Sequence, residues 1–423
     1  MNIHQFLALG LCVVVLSACA PRSPQMNLSL EALRWQDLVR GDEERISESR
    51  EATVRELAKA GLVEEAKQLA RSIPNYKRGT SWAEIGIILV SQGKKEEAAR
   101  LFPAPSELYR VNLKVEQDTI VARLVRSAIA AGNYEAAREM AKGMSSPEGT
   151  QALERIIKLS ESPMTVNGAP VLIGTNTAAP VSKLSASLEG PKEGESGISS
   201  DRLTMEMLLA EMEGAVRVGK KEEARMLAGQ IEEGLYVMKT VLRRPVYWMR
   251  LARLQMELGR SADARRSFDE GMERIRKLNP RLEFLDLAYA DAVVVRAGLE
   301  NPAAAAKMVA DRAEEISRRD PDNPFPMPVM DEYFQVDAFA TLARGAWEAG
   351  NHEQAREMWD RALALAEKNP NPRSKAIGAV QVLLSHAAVN QDLSPELRRR
   401  LNRIRKELPP EYVQLSRMNG GTR

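Results

Sequence analysis

Cysteine and histidine are scarce in this sequence, and their scarcity narrows the chemistry that the chain can carry out. The 423 residues include two cysteines, Cys12 and Cys19, and three histidines. No thiol follows residue 19, which excludes a disulfide framework and a cysteine-ligated metal site there. His352 and His386 form no H-x3-H or H-E-x2-H arrangement, and no Gly-x-Ser-x-Gly motif is present. We expect His352 to be an exposed turn residue and His386 to lie at a helix surface or to be partly buried. We expect no metal, no cofactor and no catalytic activity.

Aromatic residues are also few, and neither sign of charge is in excess. Aromatics make up 5% of the chain, while alanine, leucine, glutamate and arginine abound, which favours helices over sheets. The 60 basic and 58 acidic side chains give a net charge of +2, which is not the concentrated basic face that nucleic acids require. The composition therefore predicts an all-α protein that does not bind nucleic acid.

Charged residues are missing from the first eighteen positions. Met1–Ala18 has no Lys, Arg, Asp or Glu, and Phe6–Leu16 is nearly all apolar. As a helix this apolar core would rise about 16 Å, far less than the roughly 30 Å of a bilayer's hydrocarbon core. The pattern predicts a signal peptide over residues 1–18 and not a membrane span.

The end of this segment, Leu16-Ser17-Ala18-Cys19, resembles the lipobox of bacterial lipoproteins. The resemblance implies that Cys19 becomes the first residue of the mature protein and receives a diacylglycerol thioether and an acylated amine. Ala20 replaces the aspartate that retains such proteins at the inner membrane of enteric bacteria, which implies the outer membrane and a protein facing the periplasm. The segment lacks the usual Lys or Arg near its start. An ordinary cleaved signal, or a buried helix with an incidental cysteine, is the alternative.

A charged hexamer, Gly-Lys-Lys-Glu-Glu-Ala, occurs at Gly93–Ala98 and again at Gly219–Ala224. Both copies belong to a series in which alanine follows glycine five positions later. The series is Gly61/Ala66, Gly93/Ala98, Gly132/Ala137, Gly219/Ala224, Gly259/Ala264, Gly298/Ala303 and Gly350/Ala355. Spacings of roughly 30–50 residues are typical of stacked helical hairpins. The series therefore predicts the turn between the two helices of each repeat.

Apolar stripes at helical spacing surround these turns. The stripes are Trp82/Ile85/Gly86/Leu89, Trp248/Leu251/Ala252/Gln255 and Phe339/Leu342/Ala343/Ala346. With Gly350, Ala355, Trp359 and Pro370, the pattern resembles the tetratricopeptide repeat (TPR), although strict copies repeat every 34 residues and several units here lack the aromatics. The resemblance implies TPR-like α-solenoids, which stack helical hairpins.

The second hexamer also completes a phosphate-loop pattern, Gly214-x4-Gly219-Lys220. A phosphate loop needs Ser or Thr as its next residue and a strand before it. Here Lys221 follows, and Leu203–Met212 has the pattern of a helix. We interpret the hexamer as a turn and expect no nucleotide.

Composition divides the chain into segments. Residues 161–200 contain 16 Pro, Gly or Ser and no aromatic, which is typical of a flexible linker. We predict a signal peptide over 1–18, a lipidated tether over 19–27, an N-terminal solenoid over 28–160, a disordered linker over 161–200, a C-terminal solenoid over 201–410 and a flexible tail over 411–423. Such a linker would let the two solenoids bind independently.

The C-terminal solenoid is expected to end in a basic helix. Ser394-Pro395-Glu396 is a favourable helix start, and Leu397, Leu401, Ile404 and Leu408 then form an apolar stripe among six arginines and lysines. Either this helix caps the solenoid with its polar face, or that face binds anionic lipid or an acidic partner.

The leading functional hypothesis is a non-catalytic, membrane-anchored periplasmic scaffold. Stacked hairpins present a concave surface that suits an extended peptide or another protein's helix. Similar repeat lipoproteins serve outer-membrane protein insertion, pilus or secretin assembly and cell-wall synthesis. The alternative is a periplasmic lipoprotein that binds a glycan or peptide ligand, which would need a groove rich in exposed aromatics.

Overall fold

A computed structural model describes most of the chain between residues 22 and 409. In the first half the structure describes residues 22–158, with gaps at 37, 40–42, 76, 102–113 and parts of 145–156, and the strand residues 164–166 and 169–171. In the second half it describes residues 200–317, with gaps at 239–240 and 279–284, and residues 328–409. The predicted signal peptide, Cys19 and the predicted tail lie outside the described residues. The tether ends earlier than predicted, because the first helix already begins at Pro24.

The described residues form seventeen α-helices. In the first half they are α1 (Pro24–Gln36), α2 (Glu43–Lys59), α3 (Val63–Arg71), α4 (Lys77–Ser91), α5 (Lys95–Ala99), α6 (Lys114–Ala130) and α7 (Tyr134–Ala141). In the second half they are α8 (Ser200–Arg217), α9 (Lys221–Val237), α10 (Arg244–Glu257), α11 (Ser261–Arg276), α12 (Leu285–Leu299), α13 (Pro302–Ser317), α14 (Pro328–Glu348), α15 (His352–Lys368), α16 (Pro372–Ala388) and α17 (Pro395–Glu407). The predicted all-α architecture of TPR-like hairpins is confirmed. None of the described helices is long and apolar enough to span a membrane.

Two short strands lie within the predicted linker. β1 (Met164–Val166) and β2 (Ala169–Val171) pair antiparallel, with Met164 opposite Val171. The rest of residues 161–199 lies outside the described residues.

The helices pair into hairpins, and the first helices of successive hairpins pack side by side. α2, α4, α8, α10, α12, α14 and α16 each contact the next in this order, and α16 contacts α2. α8, which follows the linker, packs against α4 and α6 of the first half. The helix contacts therefore form a closed ring, and the two halves meet at two places.

α1, which the prediction assigned to the N-terminal solenoid, packs against both halves: it contacts α2, and its Leu30 and Leu33 lie against the apolar cluster of the first half. It packs against α16, and its residues Leu28, Ala32 and Trp35 are at most 2% exposed within the same apolar cluster as Leu397 and Leu401. The reason is that the last hairpin would otherwise leave one apolar side uncovered, and α1 supplies the surface that covers it. The two predicted solenoids therefore share α1 as a common element.

Candidate functional site

Six of the seven predicted turn glycines have a positive φ angle. The angles are +78° at Gly61, +76° at Gly93, +75° at Gly132, +78° at Gly219, +74° at Gly259 and +82° at Gly350. In the first of these turns Gly61 N donates to Ala58 O, and Leu62 N donates to Leu57 O. This pair of bonds ends a helix with one left-handed residue, which glycine adopts without steric cost.

The alanine of each of these six turns is completely buried. Ala66, Ala98, Ala137, Ala224, Ala264 and Ala355 have 0% exposure. Each lies in the first turn of its second helix, where a small side chain lets that helix approach the first one closely.

The seventh pair, Gly298 and Ala303, is placed differently from the prediction. Gly298 lies inside α12 without a positive φ, and Ala303 is exposed. Asn301 instead precedes α13 and caps its start: its Oδ1 accepts the Ala304 N–H at 2.9 Å, and Ala305 is the buried alanine. An asparagine cap satisfies the helix start without a left-handed glycine, so the Gly-x4-Ala match at this repeat is coincidental.

An eighth turn, between α16 and α17, has no glycine and was therefore not predicted from the Gly-x4-Ala pattern. Asn390 has φ +52° there, and the Gln391 N–H donates to His386 O in the same pattern as at the glycine turns. Asparagine is the other residue that tolerates this conformation. Ser394 accepts the Leu397 N–H at 3.1 Å, as its predicted role at the start of α17 requires.

Arg253 on α10 marks the side on which the first helices converge. Its Nη1 lies 3.1 Å from Asp291 on α12 and 2.6 Å from Glu348 on α14. One side chain thus contacts the first helices of the two hairpins that follow its own. Burial would lower the pKa of Arg253, but the two carboxylates raise it above its ordinary value. The guanidinium therefore stays charged and holds three helices together.

Similar contacts join the first helices of the first half. Arg55 Nε on α2 lies 2.5 Å from Glu84 Oε1 on α4. Glu51, one turn before Arg55, accepts a hydrogen bond from the Thr80 hydroxyl at 2.8 Å. Burial and the charge of Glu84 raise the pKa of Glu51, while Arg55 and Arg123 on α6 act in the opposite direction. Acids and bases thus alternate across α2, α4 and α6.

Glu213 on α8 continues this arrangement between the halves. Its Oε2 lies 2.5 Å from Arg250 on α10, and its Oε1 lies 3.3 Å from Arg217. Burial would raise the pKa of Glu213, but Arg250, Arg217 and Lys59 at the end of α2 lower it overall. The carboxylate is therefore ionised and interacts with charges from both halves.

We call these side chains the inner charged band. It consists of Glu51, Arg55, Glu84, Glu213, Arg250, Arg253, Glu257, Asp291 and Glu348. The side chains of Arg55, Arg250 and Glu257 remain 41%, 36% and 48% exposed, so the band is a polar surface that another molecule can reach. It is not an enclosed pocket, and its six carboxylates outnumber its three guanidinium groups.

The sequence carried a signal for part of this band. Lys77 pairs with Glu48, Thr80 with Glu51, and Arg55 with Glu84, and every pair is 29 positions apart. This equal offset places complementary residues at one height on neighbouring helices. The signal is weak because charged residues are frequent and the offset changes from one repeat to the next.

The two histidines lie near tryptophans. His352 is exposed at the start of α15, as predicted, with its ring 4.1 Å from that of Trp347. His386, predicted at a helix surface or partly buried, is only 2% exposed and stacks on Trp359 at 3.8 Å. Burial lowers the pKa of His386 to about 4. Among the described residues, no group of three His, Cys, Asp or Glu side chains lies in a metal-binding arrangement.

An open groove of about 380 Å³ lies between α11, α12 and α13, and Met272, Tyr289, Met308 and Arg312 are among the residues that line it. The Arg312 guanidinium is already engaged, because Nε and Nη2 donate to Asp286 and Nη1 donates to Glu315. The groove therefore offers no free cation to an anionic ligand through this residue.

Comparison with known families agrees with the hairpin geometry. The tetratricopeptide-repeat model matches residues 245–270 and 337–361, which cover most of the α10/α11 hairpin and part of the α14/α15 hairpin. No curated protein matches the chain. The turns, the buried alanines and these two matches identify the chain as a TPR-like repeat protein.

Proposed function

We propose that the protein is a non-catalytic scaffold that binds an extended segment or a helix of a partner protein along the inner charged band. TPR repeats are typical of protein–protein interaction, and stacked hairpins present their concave side to partners. The main support for this proposal is the inner charged band, which is polar and partly exposed where the first helices contact one another. Because acidic side chains outnumber basic ones in the band, a partner segment with an excess of basic side chains would complement it.

We further propose that the scaffold is lipidated on Cys19 and held at the outer membrane, facing the periplasm, as part of an envelope assembly. Support comes from the lipobox resemblance of Leu16–Cys19. Residues 20–23 alone separate Cys19 from the start of α1 at Pro24. A lipid on Cys19 would hold the ring close to the membrane surface.

Among the side chains that the structure describes, no exposed aromatic, which glycan binding would favour, belongs to the band. Four tryptophans are at most 2% exposed, namely Trp35, Trp82, Trp248 and Trp359. Among the large apolar side chains that are exposed in the described part of the chain, the aromatic one is Tyr236. Tyr236 lies on α9, a second helix of its hairpin. The distribution of aromatics favours a protein partner over a glycan.

Site-specific photo-crosslinking in the cells that produce the protein tests the binding surface. A photoreactive amino acid is placed at Glu257 in the band or, as a matched control, at Lys307, which is 75% exposed on α13. We expect a defined protein adduct from position 257 and none from position 307. Equal labelling at both positions, or an adduct from position 307 alone, would contradict binding through the band.

The lipid anchor is tested separately by membrane fractionation and mass spectrometry of the mature N-terminus, with Cys19→Ser as the variant. We expect the native protein in the outer-membrane fraction, beginning at an acylated Cys19, and the variant without lipid. A mature protein that begins elsewhere, or a Cys19 without acyl chains, would reject the anchor and leave the binding surface to be judged by the crosslinks.

A further inference from the structure

The N-terminus of the described chain lies beside the last hairpin. Gln25 N donates to Asn390 Oδ1 at 2.9 Å, in the turn between α16 and α17. Arg398 Nη1 on α17 lies 3.1 Å from Glu31 on α1. The chain that leads back from α1 towards its beginning therefore leaves the ring next to the start of α17.

This position limits how far Cys19 can lie from α17. Cys19 lies six positions before Gln25 in the sequence, and an extended chain spans at most about 3.6 Å per residue, or roughly 20 Å in all. Lipid chains on Cys19 would bring α17 close to the membrane surface. This step rests on the anchoring of Cys19 proposed above.

α17 concentrates positive charge on its outer side. Its thirteen residues contain six basic and two acidic side chains, a net charge of +4, whereas the whole chain has +2. Leu397, Leu401 and Ile404 are buried. The exposed basic side chains are Arg398, Arg399, Arg403, Arg405 and Lys406.

Some of the basic side chains of α17 form ion pairs within the protein, and the others do not. Arg398 pairs with Glu31, Arg399 with Glu396, and Arg400 with Glu367 and Asp360. Within the described part of the chain, Arg403, Arg405 and Lys406 have no carboxylate within 4.0 Å. The sequence after residue 409 has two arginines and a single glutamate, so it brings no acidic segment to neutralise them.

We propose that the outer face of α17, formed by Arg399, Arg403, Arg405 and Lys406, binds the anionic phosphate groups of phospholipids in the anchoring membrane. Guanidinium groups bind phosphate oxygens with two parallel hydrogen bonds. A basic surface next to a lipid anchor adds to the anchor's affinity. Two contacts at one end of the ring would then fix its orientation and leave the inner charged band free for a protein partner.

The test is vesicle co-sedimentation with the chain that starts at Ala20, which keeps every described residue but lacks Cys19. Vesicles contain phosphatidylethanolamine with phosphatidylglycerol, or phosphatidylcholine alone. The test variant is Arg399→Gln/Arg403→Gln/Lys406→Gln, which follow one another at helical spacing along the outer face. The control is Lys221→Gln/Arg266→Gln/Arg276→Gln, which removes the same charge from exposed positions on α9 and α11. Circular dichroism melts of all three proteins check folding.

The unsubstituted chain is expected to bind the anionic vesicles and to be released as salt is raised. The α17 variant should bind them on the order of a hundredfold more weakly, and the control about as well as the unsubstituted chain. Binding that does not exceed that to phosphatidylcholine, or an equal loss in the control, would overturn the proposal. The proposal would also be overturned if the unsubstituted chain bound no vesicles but captured an acidic protein that the α17 variant did not capture. That result would assign the face to the acidic protein.

The outcome is independent of the anchor experiment, because this chain carries no Cys19. If vesicle binding is found and native Cys19 carries no lipid, the anchor fails and the basic face stands. If Cys19 is lipidated and the vesicles are not bound, the basic face fails and the anchor stands.

Discussion

Arg217 Nε donates a hydrogen bond to the backbone carbonyl oxygen of Ser91 at 3.2 Å, across 126 positions of sequence. The same interval separates the two copies of the hexamer, which start at Gly93 and Gly219. A Cβ atom on Gly93 would come within 2.6 Å of the Val218 side chain. The repeated turns therefore lie against each other, where α8 packs on α4 and joins the two halves.

The backbone contact at this joint predicts the effect of a single methyl group. A Cβ on Gly214 would lie 2.5 Å from Val90 O, so Gly214→Ala must displace α8 or α4. We expect a loss of about 1–3 kcal/mol in the free energy of unfolding. Gly229→Ala on α9 is the control, since nothing lies within 4 Å of its Cβ position, and it should gain about 0.5–1 kcal/mol. Denaturant titration of both variants measures their free energies of unfolding. If both variants change by the same amount, the contact between Gly214 and Val90 does not hold α8 against α4.

The turn assignment gives a second prediction. Gly259 has φ +74° with open space around it, whereas Gly298 lies inside α12 with the Met256 Cε atom 2.7 Å from its Cβ position. Gly259→Ala should cost about 1–2 kcal/mol, because alanine is strained in the left-handed region. Gly298→Ala should cost little or gain up to about 1 kcal/mol, since the methionine end can move and alanine favours a helix. If thermal melts show that Gly298→Ala is the more destabilising substitution, Gly298 and not Asn301 is the residue that forms this turn.

The sequence predicted those features that each repeat determines by itself. A left-handed turn needs glycine, and close packing of the next helix needs alanine, so both recur at visible positions. The tryptophans of the apolar stripes, Trp82 and Trp248, are buried as their spacing indicates. These features depend on contacts within one hairpin, and local pattern is enough to find them.

Closure of the ring could not be predicted in the same way. It depends on contacts such as Gln25 with Asn390 and Arg398 with Glu31, which are more than 360 positions apart. Their geometry follows from small rotations added over all the hairpins, and no single residue determines that sum. The inner charged band has the same origin, because its members meet only after the helices have stacked. The prediction of independent solenoids came from linker composition, which describes the connection and not the surfaces it joins.

The buried pair of Arg312 and Asp286 gives a third prediction. Their side chains are 1% and 3% exposed, with Nη2 of Arg312 2.8 Å from Oδ1 of Asp286. Arg312→Met should cost about 3–5 kcal/mol, because it removes a guanidinium that stabilises a buried carboxylate, and the double variant Arg312→Met/Asp286→Leu should recover most of that loss. Denaturant unfolding of the single and double variants measures both values. A double variant as unstable as the single one would show that lost packing, and not the buried charge, is responsible.

Glu211 predicts a pH dependence at the joint between the halves. It is 9% exposed on α8, and burial raises its pKa to about 7, against a smaller opposing effect of Lys95. The folded chain therefore keeps a proton that the unfolded chain loses from about pH 4.5, so stability falls as the pH rises from 4.5 through 7. Glu211→Gln should match the parent at pH 4 and exceed it by about 3 kcal/mol at pH 8. Glu222→Gln, which removes an exposed carboxylate, is the control in the same melts, and a constant difference between parent and Glu211→Gln would refute the assignment.

His386 predicts the opposite dependence at lower pH. Its imidazole stacks on Trp359 inside the last hairpins, and burial lowers its pKa from 6.5 to about 4. The unfolded chain then binds a proton that the folded chain refuses, so this stability is complete above pH 6.5 and is lost as the pH falls through 4. The loss amounts to about 3 kcal/mol. His386→Phe keeps a ring against Trp359 but cannot take up a proton, so its stability should fall less steeply than the parent's between pH 6.5 and 4.

The slope is the quantity to compare, because phenylalanine also changes the packing and shifts stability at every pH. His352→Phe removes a histidine from an exposed position and controls for the loss of the residue type. Melting temperatures of the three proteins between pH 4 and 7 give the slopes. If His386→Phe loses stability as steeply as the parent, other groups cause the acid sensitivity. The His386 ring would then contribute to the last hairpins only through packing.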